Sequence, residues 1–332
     1  MAKVVVVSTG GTIAMKVVPG QGVVPALSGA DLIAAVPQLA DLCEVEVREF
    51  SNVPSPHMTP SMMFELACRI ETILEEADVA GVVVTHGTDT LEETAYMLDL
   101  VIDSSKPVCV TGAMRSASGV GPDGPANILA AVRTAASPQA RHQGVLVVLN
   151  DEINAAREVT KTHSANPDTF CAPAWGPLGY ADRDRVIFRR LRPRHGRLRP
   201  QKLESDVHLL RLAAGSDSRL IRHLIADGVK GIVIEAFGRG NVPPAVVPGV
   251  QEAVAAGIPV VVTTRCGNGR VFCEYGYEGS TTHLARLGVL LAGDMLGVKA
   301  RLKLMLALSL GLNAAGLAQV FEEEMTGECV LA

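Results

Sequence analysis

Hydroxyl and glycine residues cluster at three places in the chain, each directly after a run of apolar residues. The three segments are STGGT at residues 8–12, THGTDT at 85–90 and TGAMRS at 111–116. In such a segment a hydroxyl can attack a carbonyl carbon, while backbone N–H groups stabilise the negative charge that develops on the carbonyl oxygen. The residue types therefore indicate acyl transfer, provided that the fold brings the three segments together.

A threonine hydroxyl is a weak nucleophile until a base removes its proton, so the sequence must also supply a base. Asp89 follows Thr88 directly, and Lys161 lies beyond the apolar run at residues 144–149. A buried lysine can accept a proton and a carboxylate can orient it. A surface lysine and a helix-capping aspartate are an equally good interpretation of the spacing. His86 could also be a base, although we favour a structural role.

Other chemistries lack their sequence patterns. The phosphate-binding motif G-x-x-x-x-G-K-[ST] does not occur. A G-x-G-x-x-G match exists at Gly119, Gly121 and Gly124, but it does not directly follow a strand and Pro122 interrupts it. The chain has no G-x-S-x-G elbow, no H-E-x-x-H motif and no cluster of cysteine and histidine ligands. We therefore expect neither a metal nor a cofactor.

Strands must end where the three segments begin. Four apolar runs are continuous and rich in β-branched residues, which is typical of strands buried on both faces. They lie at residues 3–8, 80–85, 106–111 and 144–149. Helical patterns follow at 90–102, with Asp89 or Thr90 as its cap, and at 124–136. This alternation predicts a parallel sheet covered on both faces, and ligands bind at the carboxyl ends of such strands.

A basic run at residues 183–202 separates this half from the rest, and we interpret it as a solvated connector. Strand and helix patterns resume after it, at 207–212, 231–237, 243–257, 259–265 and 297–311. We predict an α/β protein with a larger N-terminal domain at 1–190, in which helices sandwich a parallel sheet. A basic linker at 191–206 and a smaller C-terminal α/β domain at 207–332 follow.

Composition limits the partners. The net charge is −5 and only 4% of residues are aromatic, so neither the chain nor its basic run favours nucleic acid. No apolar stretch is long enough to cross a bilayer, and the start lacks a signal-peptide pattern. Seven scattered cysteines without a C-x-x-C pair indicate reduced thiols. We expect a cytoplasmic protein that binds a small molecule, not a membrane.

Two of the segments, in their context, resemble the threonine motifs of the L-asparaginase family, which includes the glutaminase-asparaginases. These are STGGTIAM at 8–15 and VVVTHGTDTLEETAYML at 82–98. Similar segments recur along nearly the whole chain, for example DGPANILAAV at 123–132 and AGDMLGVKARLKLMLAL at 292–308. The resemblance implies a two-domain amidohydrolase that converts L-asparagine to L-aspartate and ammonia through an acyl-enzyme.

The resemblance also implies roles for individual residues. Thr12 would be the nucleophile, and a second hydroxyl–acid–base group would comprise Thr88, Asp89 and Lys161. Backbone N–H groups of the first two segments would hold the oxyanion, and Gly11 and Gly87 would contact the substrate.

For substrate binding, the resemblance implies that Ser55 holds the α-carboxylate and Asp89 the α-ammonium group, with the Ala113 carbonyl near the leaving amide. It implies a homotetramer built from two intimate dimers, in which each C-terminal domain completes the neighbouring subunit's site. Asn241 matches that contribution, and Glu274 and Glu278 are both available for an acid that many members supply there.

The chain departs from the family at two places. The segment after Thr12 carries no tyrosine, although the family usually has one in a loop that closes over the site. Pro56 follows Ser55 where the family commonly has glutamine, so one side-chain contact to the α-ammonium group is lost, unless His57 replaces it. These changes leave the preference among L-asparagine, D-asparagine and L-glutamine open.

Two other functions are compatible with such a fold. A glutaminase that supplies ammonia inside a transfer-RNA amidotransferase usually carries an added N-terminal domain, whereas this chain begins at the first catalytic strand. A non-catalytic amino-acid sensor would not need all four candidate catalytic residues, which the sequence retains.

Overall fold

The computed structural model describes residues 2–11, 13, 15–18, 20, 22–25, 27–192 and 196–326, and for 15–18, 22–25 and 323–326 it describes the backbone only. The chain forms two compact units, Met1–Arg194 and His195–Ala332.

The described part of the first unit contains twelve strands and four α-helices. The strands are β1 (Lys3–Gly10), β2 (Met15–Val18), β3 (Gly22–Pro25), β4 (Glu44–Val53), β5 (Val79–Thr85), β6 (Val108–Thr111), β7 (Val145–Leu149), β8 (Glu152–Ala155), β9 (Thr160–Lys161), β10 (Phe170–Cys171), β11 (Gly179–Ala181) and β12 (Val186–Phe188). The α-helices are α1 (Gly29–Ala34), α2 (Pro60–Glu75), α3 (Leu91–Val101) and α4 (Gly124–Ala136).

One large sheet dominates this unit, in the order β12-β11-β8-β7-β6-β5-β1-β4. The strands from β7 to β4 run parallel, whereas β8, β11 and β12 are added antiparallel. The four valines of β1 are buried, because α1 and α4 pack on the face that holds Val4 and Val6, and alternate residues point to the other face. The predicted parallel sheet is therefore confirmed, with an antiparallel extension.

The four predicted strands correspond to β1, β5, β6 and β7, and the helix at 124–136 corresponds to α4. The helix expected at 90–102 is α3, and its predicted start is confirmed, although the side-chain capping bond is absent. Thr90 occupies the cap position without making a side-chain capping hydrogen bond. Its Oγ1 instead donates to the Ser55 carbonyl oxygen at 2.8 Å.

The interpretation of residues 183–202 as a solvated connector is wrong for its first half. Val186–Phe188 forms the edge strand β12. Arg192 pairs with Asp99 at 2.5 Å, and both side chains are less than 5% exposed. Arg190 pairs with Glu158 at 2.5 Å. These ion pairs fix the segment to the first unit. If the segment detached, the buried Asp99 carboxylate would lose its partner, and a buried charge without a partner is costly.

The second unit contains a four-stranded parallel sheet in the order β13-β14-β15-β16 within the described residues. Its strands are β13 (Val207–Arg211), β14 (Gly231–Ala236), β15 (Val260–Thr264) and β16 (Leu290–Leu291), and its helices are α5 (Arg219–Asp227), α6 (Val247–Ala255), α7 (Thr281–Arg286), α8 (Gly297–Ser309) and α9 (Ala314–Thr326). This confirms the expected smaller α/β domain. No helix among the described residues of either unit is both long and apolar enough to span a bilayer.

Candidate active site

The three hydroxyl-rich segments lie side by side, because the strands that precede them, β1, β5 and β6, are parallel neighbours in the sheet. Hydrogen bonds connect the segments. Thr9 Oγ1 donates to the Thr85 carbonyl oxygen at 2.9 Å, and the His86 N–H donates to the Thr111 carbonyl oxygen at 2.8 Å. The carboxyl ends of three strands therefore form one surface with hydroxyl and backbone groups.

The first two segments meet backbone to backbone at Gly11 and Gly87. A Cβ atom on Gly11 would lie 2.2 Å from the N and Cα atoms of Gly87, and Gly11 has φ +84°. The Gly11 N–H donates to the Val53 carbonyl oxygen at 3.1 Å, so within the first segment this N–H group is already engaged. Thr12, the predicted nucleophile, lies outside the described residues.

Lys161, on the separate β9–β10 hairpin, contacts the second segment. Its Nζ donates to Thr88 Oγ1 at 2.9 Å and to Asp89 Oδ1 at 2.7 Å. The Lys161 side chain is 15% exposed and Thr88 is buried, while the Asp89 side chain is 59% exposed. The structure thus brings the three side chains within hydrogen-bond distance, so Lys161 is not a free surface lysine, and Asp89 is not the N-cap residue of α3.

The strand that carries Lys161 is short and is stabilised by its partner strand. Lys161 pairs with Phe170 across the β9–β10 ladder. The buried Thr169 closes the hairpin: the His163 N–H donates to its Oγ1 at 2.6 Å, and this hydroxyl donates to the His163 carbonyl oxygen at 2.5 Å. No sequence pattern predicts the role of Thr169, because its partners lie across a turn and no periodicity marks it.

Ser55 is held against the second segment. The Asp89 N–H donates to Ser55 Oγ at 3.1 Å, and Thr90 holds the Ser55 carbonyl as described above. Ser55 is buried, whereas Pro56 and His57, which complete the same 3₁₀ turn, are exposed. Ser55 is thus fixed to the backbone of Asp89 and to the side chain of Thr90, and the adjacent Pro56 offers no polar side-chain atom.

His86 is fully buried beside this group and takes the structural role favoured above. Its Nδ1 lies 2.7 Å from the Gly87 carbonyl oxygen and must donate to it, so Nε2 accepts from Thr94 Oγ1 at 3.0 Å. Burial lowers the pKa of His86 to about 4, and the hydrogen bond to Gly87 opposes this only in part. A neutral imidazole therefore ties the second segment to α3.

The third segment contains Gly112 and the buried Ala113. Side chains at the start of α4 hold it: Asp123 accepts two backbone N–H groups from this segment, and Asn127 donates to the Gly112 carbonyl oxygen. No role for Asp123 or Asn127 was predicted from the sequence. The only signal was the segment DGPANILAAV, which contributed to the resemblance.

The remaining candidates lie in the second unit. Asn241 forms an isolated bridge with Phe237, and its Oδ1 accepts from the Thr281 N–H at 3.3 Å. Glu274 pairs with Arg239 at 3.4 Å, and Glu278 is exposed. Among the described residues, no group of three or more His, Cys, Asp and Glu side chains could hold a metal ion.

Comparison with known proteins agrees with the residue pattern. The chain matches the family model "Asparaginase, N-terminal" over residues 3–194 and "Glutaminase/Asparaginase C-terminal domain" over 206–321. An L-asparaginase of Bacillus licheniformis is 38% identical over 315 residues, which cover 92% of this chain and 95% of that protein. A probable L-asparaginase of Deinococcus radiodurans is 38% identical over 331 residues, 97% of this chain and 98% of that protein.

A solved structure is also similar. The crystal structure of a probable cytoplasmic L-asparaginase from Campylobacter jejuni aligns with a TM-score of 0.87 and 34% identity, and the match covers 97% of this chain and 99% of that chain. Sequence and fold agree over both units, and the chain belongs to the asparaginase family.

Proposed function

We propose that this protein hydrolyses L-asparagine to L-aspartate and ammonia through a threonine acyl-enzyme. The observation that carries the proposal is the contact of Lys161 Nζ with both Thr88 Oγ1 and Asp89 Oδ1. A hydroxyl, an amine and a carboxylate in hydrogen-bond distance are the parts that nucleophilic catalysis needs. The names of the similar proteins support asparagine as the substrate.

In the proposed reaction Thr12 Oγ attacks the side-chain carbonyl carbon of asparagine, and its proton passes to a base. The C–N bond then breaks, and the nitrogen takes up a proton and leaves as ammonia. Water attacks the Thr12 ester, releases aspartate and restores the hydroxyl, so one water is consumed per turnover. Thr88, Lys161 and Asp89 take up and return the proton; a deprotonated Lys161 amine in its present place would accept it from Thr88.

Charge determines how the substrate would bind. The exposed Asp89 carboxylate suits the α-ammonium group, and Ser55 suits the α-carboxylate. Among the described residues the N–H groups of Gly87 and Thr88 have no hydrogen-bond partner, which makes them available to an oxyanion. Since the N–H of Gly11 is engaged, we assign the oxyanion contact to the second segment first.

The proposal extends to assembly and location. We propose a homotetramer of two intimate dimers, in which residues 207–332 complete the neighbouring site through Asn241 and Glu278. Free cysteines among the described residues and the cytoplasmic relative from Campylobacter jejuni support a cytoplasmic location. The division into 1–190, 191–206 and 207–332 stays a prediction.

Ammonia release from L-asparagine tests the function. We expect Thr12→Ala, Thr88→Val and Lys161→Met each to lose about 1,000-fold or more in kcat, because nucleophile and base act as a unit. D-Asparagine and L-glutamine are measured in parallel, and Pro56→Gln shows whether the missing side chain sets the preference among them.

Matched controls separate chemistry from general damage. Thr72→Val removes an exposed threonine hydroxyl from α2, and Lys230→Met removes an exposed lysine from the second unit; both should keep parental turnover. Near-parental activity in Thr12→Ala and Thr88→Val would show that the proposed nucleophile and its partner are wrong.

A further inference from the structure

The turn after β6 is held from outside by the carboxylate of Asp123. Its Oδ2 accepts from the Met114 N–H at 3.0 Å, and its Oδ1 accepts from the Arg115 N–H at 2.9 Å. Asp123 occupies the cap position of α4, yet its side chain makes no capping hydrogen bond to that helix. Both carboxylate oxygens therefore accept hydrogen bonds from the turn, and such charge-assisted hydrogen bonds are stronger than those between neutral groups.

Asn127, one turn further along α4, completes this arrangement. Its Nδ2 donates to the Gly112 carbonyl oxygen at 2.9 Å and to Asp123 Oδ2 at 3.2 Å, and its Oδ1 accepts from the Asn150 N–H at 2.9 Å. Asn127 is only 2% exposed. A buried side chain with both polar atoms engaged connects the turns after β6 and β7, and such a network leaves its members little freedom.

These contacts determine the direction of one peptide group. Because the peptide is planar and trans, the Ala113 C=O and the Met114 N–H point in opposite directions. The Met114 N–H is directed at Asp123, so the Ala113 carbonyl is directed away from Asp123. The same turn lies against the second segment: a Cβ atom on Gly112 would lie 3.3 Å from Thr88 Cγ2 and 2.6 Å from the His86 carbonyl oxygen.

We infer that Asp123 and Asn127 are positioning residues, which orient the Ala113 carbonyl to accept a hydrogen bond from the leaving nitrogen of an amide substrate. The inference rests on the proposed amidase function. The leaving nitrogen of an amide carries N–H groups that can donate to this carbonyl, whereas the leaving oxygen of an ester carries none. Loss of the orientation therefore slows amide hydrolysis and spares ester hydrolysis.

The test compares kcat/KM for L-asparagine and for L-aspartate β-methyl ester in the parent and in three variants, Asp123→Asn, Asp123→Ala and Asn127→Ala. We expect the amide value to fall about 10-fold in Asp123→Asn and Asn127→Ala, and about 100-fold in Asp123→Ala, as one or both contacts are lost. The ester value should change less than about threefold, because the ester never used the contact.

Asp217→Asn is the matched control. Asp217 also accepts a backbone N–H ahead of a helix, that of Arg219 at 3.0 Å, but in the second unit. We expect Asp217→Asn to leave kcat/KM unchanged for both the amide and the ester. Circular dichroism in the near ultraviolet reports folding, and where Asp123→Ala does not fold, the amide-to-ester ratio of Asp123→Asn decides.

Equal losses on amide and ester would overturn the inference, because a general structural role lowers both. Unchanged rates would overturn it as well. The parent protein reports the proposed function separately: a parent that hydrolyses asparagine, with an unchanged ratio in the variants, refutes only the positioning role. A parent inactive on asparagine refutes the proposed function and this inference with it.

Discussion

At the scale of single residues, the neutral imidazole of His86 makes folding depend on pH. Its pKa falls from 6.5 to about 4 on burial. Between these values the unfolded chain binds a proton that the folded chain does not, so stability is complete above pH 6.5 and declines as the pH falls toward 4. The full effect is about 3 kcal/mol, of which about 2 kcal/mol lies between pH 7 and pH 5.

His86→Gln keeps one donor and one acceptor but does not titrate near these pH values. We expect the free energy of unfolding, measured in urea at pH 7 and pH 5, to differ between the two pH values by about 2 kcal/mol less in this variant than in the parent. His223→Gln, at an exposed position of α5, should retain the parental difference. If His86→Gln retains it too, folding does not lower the pKa of His86.

At the scale of elements, the approach of the first two turns leaves no room for a side chain. In Gly11→Ala the new Cβ would lie 2.2 Å from backbone atoms of Gly87 at φ +84°, so one turn must move. We expect a loss of about 3 kcal/mol or more in the free energy of unfolding, with loss of asparagine hydrolysis. Gly215→Ala has nearly the same φ, +83°, with nothing within 4 Å of its Cβ, and should cost about 1 kcal/mol. Equal costs in the two variants would show that close approach is not what Gly11 provides.

Some of the strands and loop contacts could be predicted from the sequence and others could not. The core strands were predictable because continuous runs of β-branched residues are typical of strands that are buried on both faces of a parallel sheet. The edge strand β4 was missed because EVEVREFSNV is not a continuous apolar run; its alternation of apolar with polar residues is instead the pattern of a strand buried on one face. Contacts such as Asp123 with Met114, or Thr90 with Ser55, carry no periodicity, since they depend on how loops meet. Lys161 was singled out as a base from its place after a strand, yet only the fold brings it to Thr88, 73 residues away.

At the scale of the whole molecule, the proposed sharing of sites between subunits makes a prediction about mixtures. We expect Thr88→Val to inactivate the N-terminal part of a site, and Asn241→Ala to inactivate the part that we assign to the neighbour. In a dimer of one variant with the other, one site receives both intact parts and the other site receives neither. Random co-assembly after joint refolding should therefore restore about one quarter of the parental sites.

The measurement is asparagine turnover of the refolded mixture, normalised to the parent refolded in the same way. Each variant refolded alone should stay inactive, and a mixture of variants assembled separately and then combined should stay inactive too. Since recovery requires parts from different chains, turnover that stays at the level of the single variants would mean that each chain completes its own site. An active Asn241→Ala variant would instead remove Asn241 from the proposed site, because a residue that completes the site cannot be lost without effect.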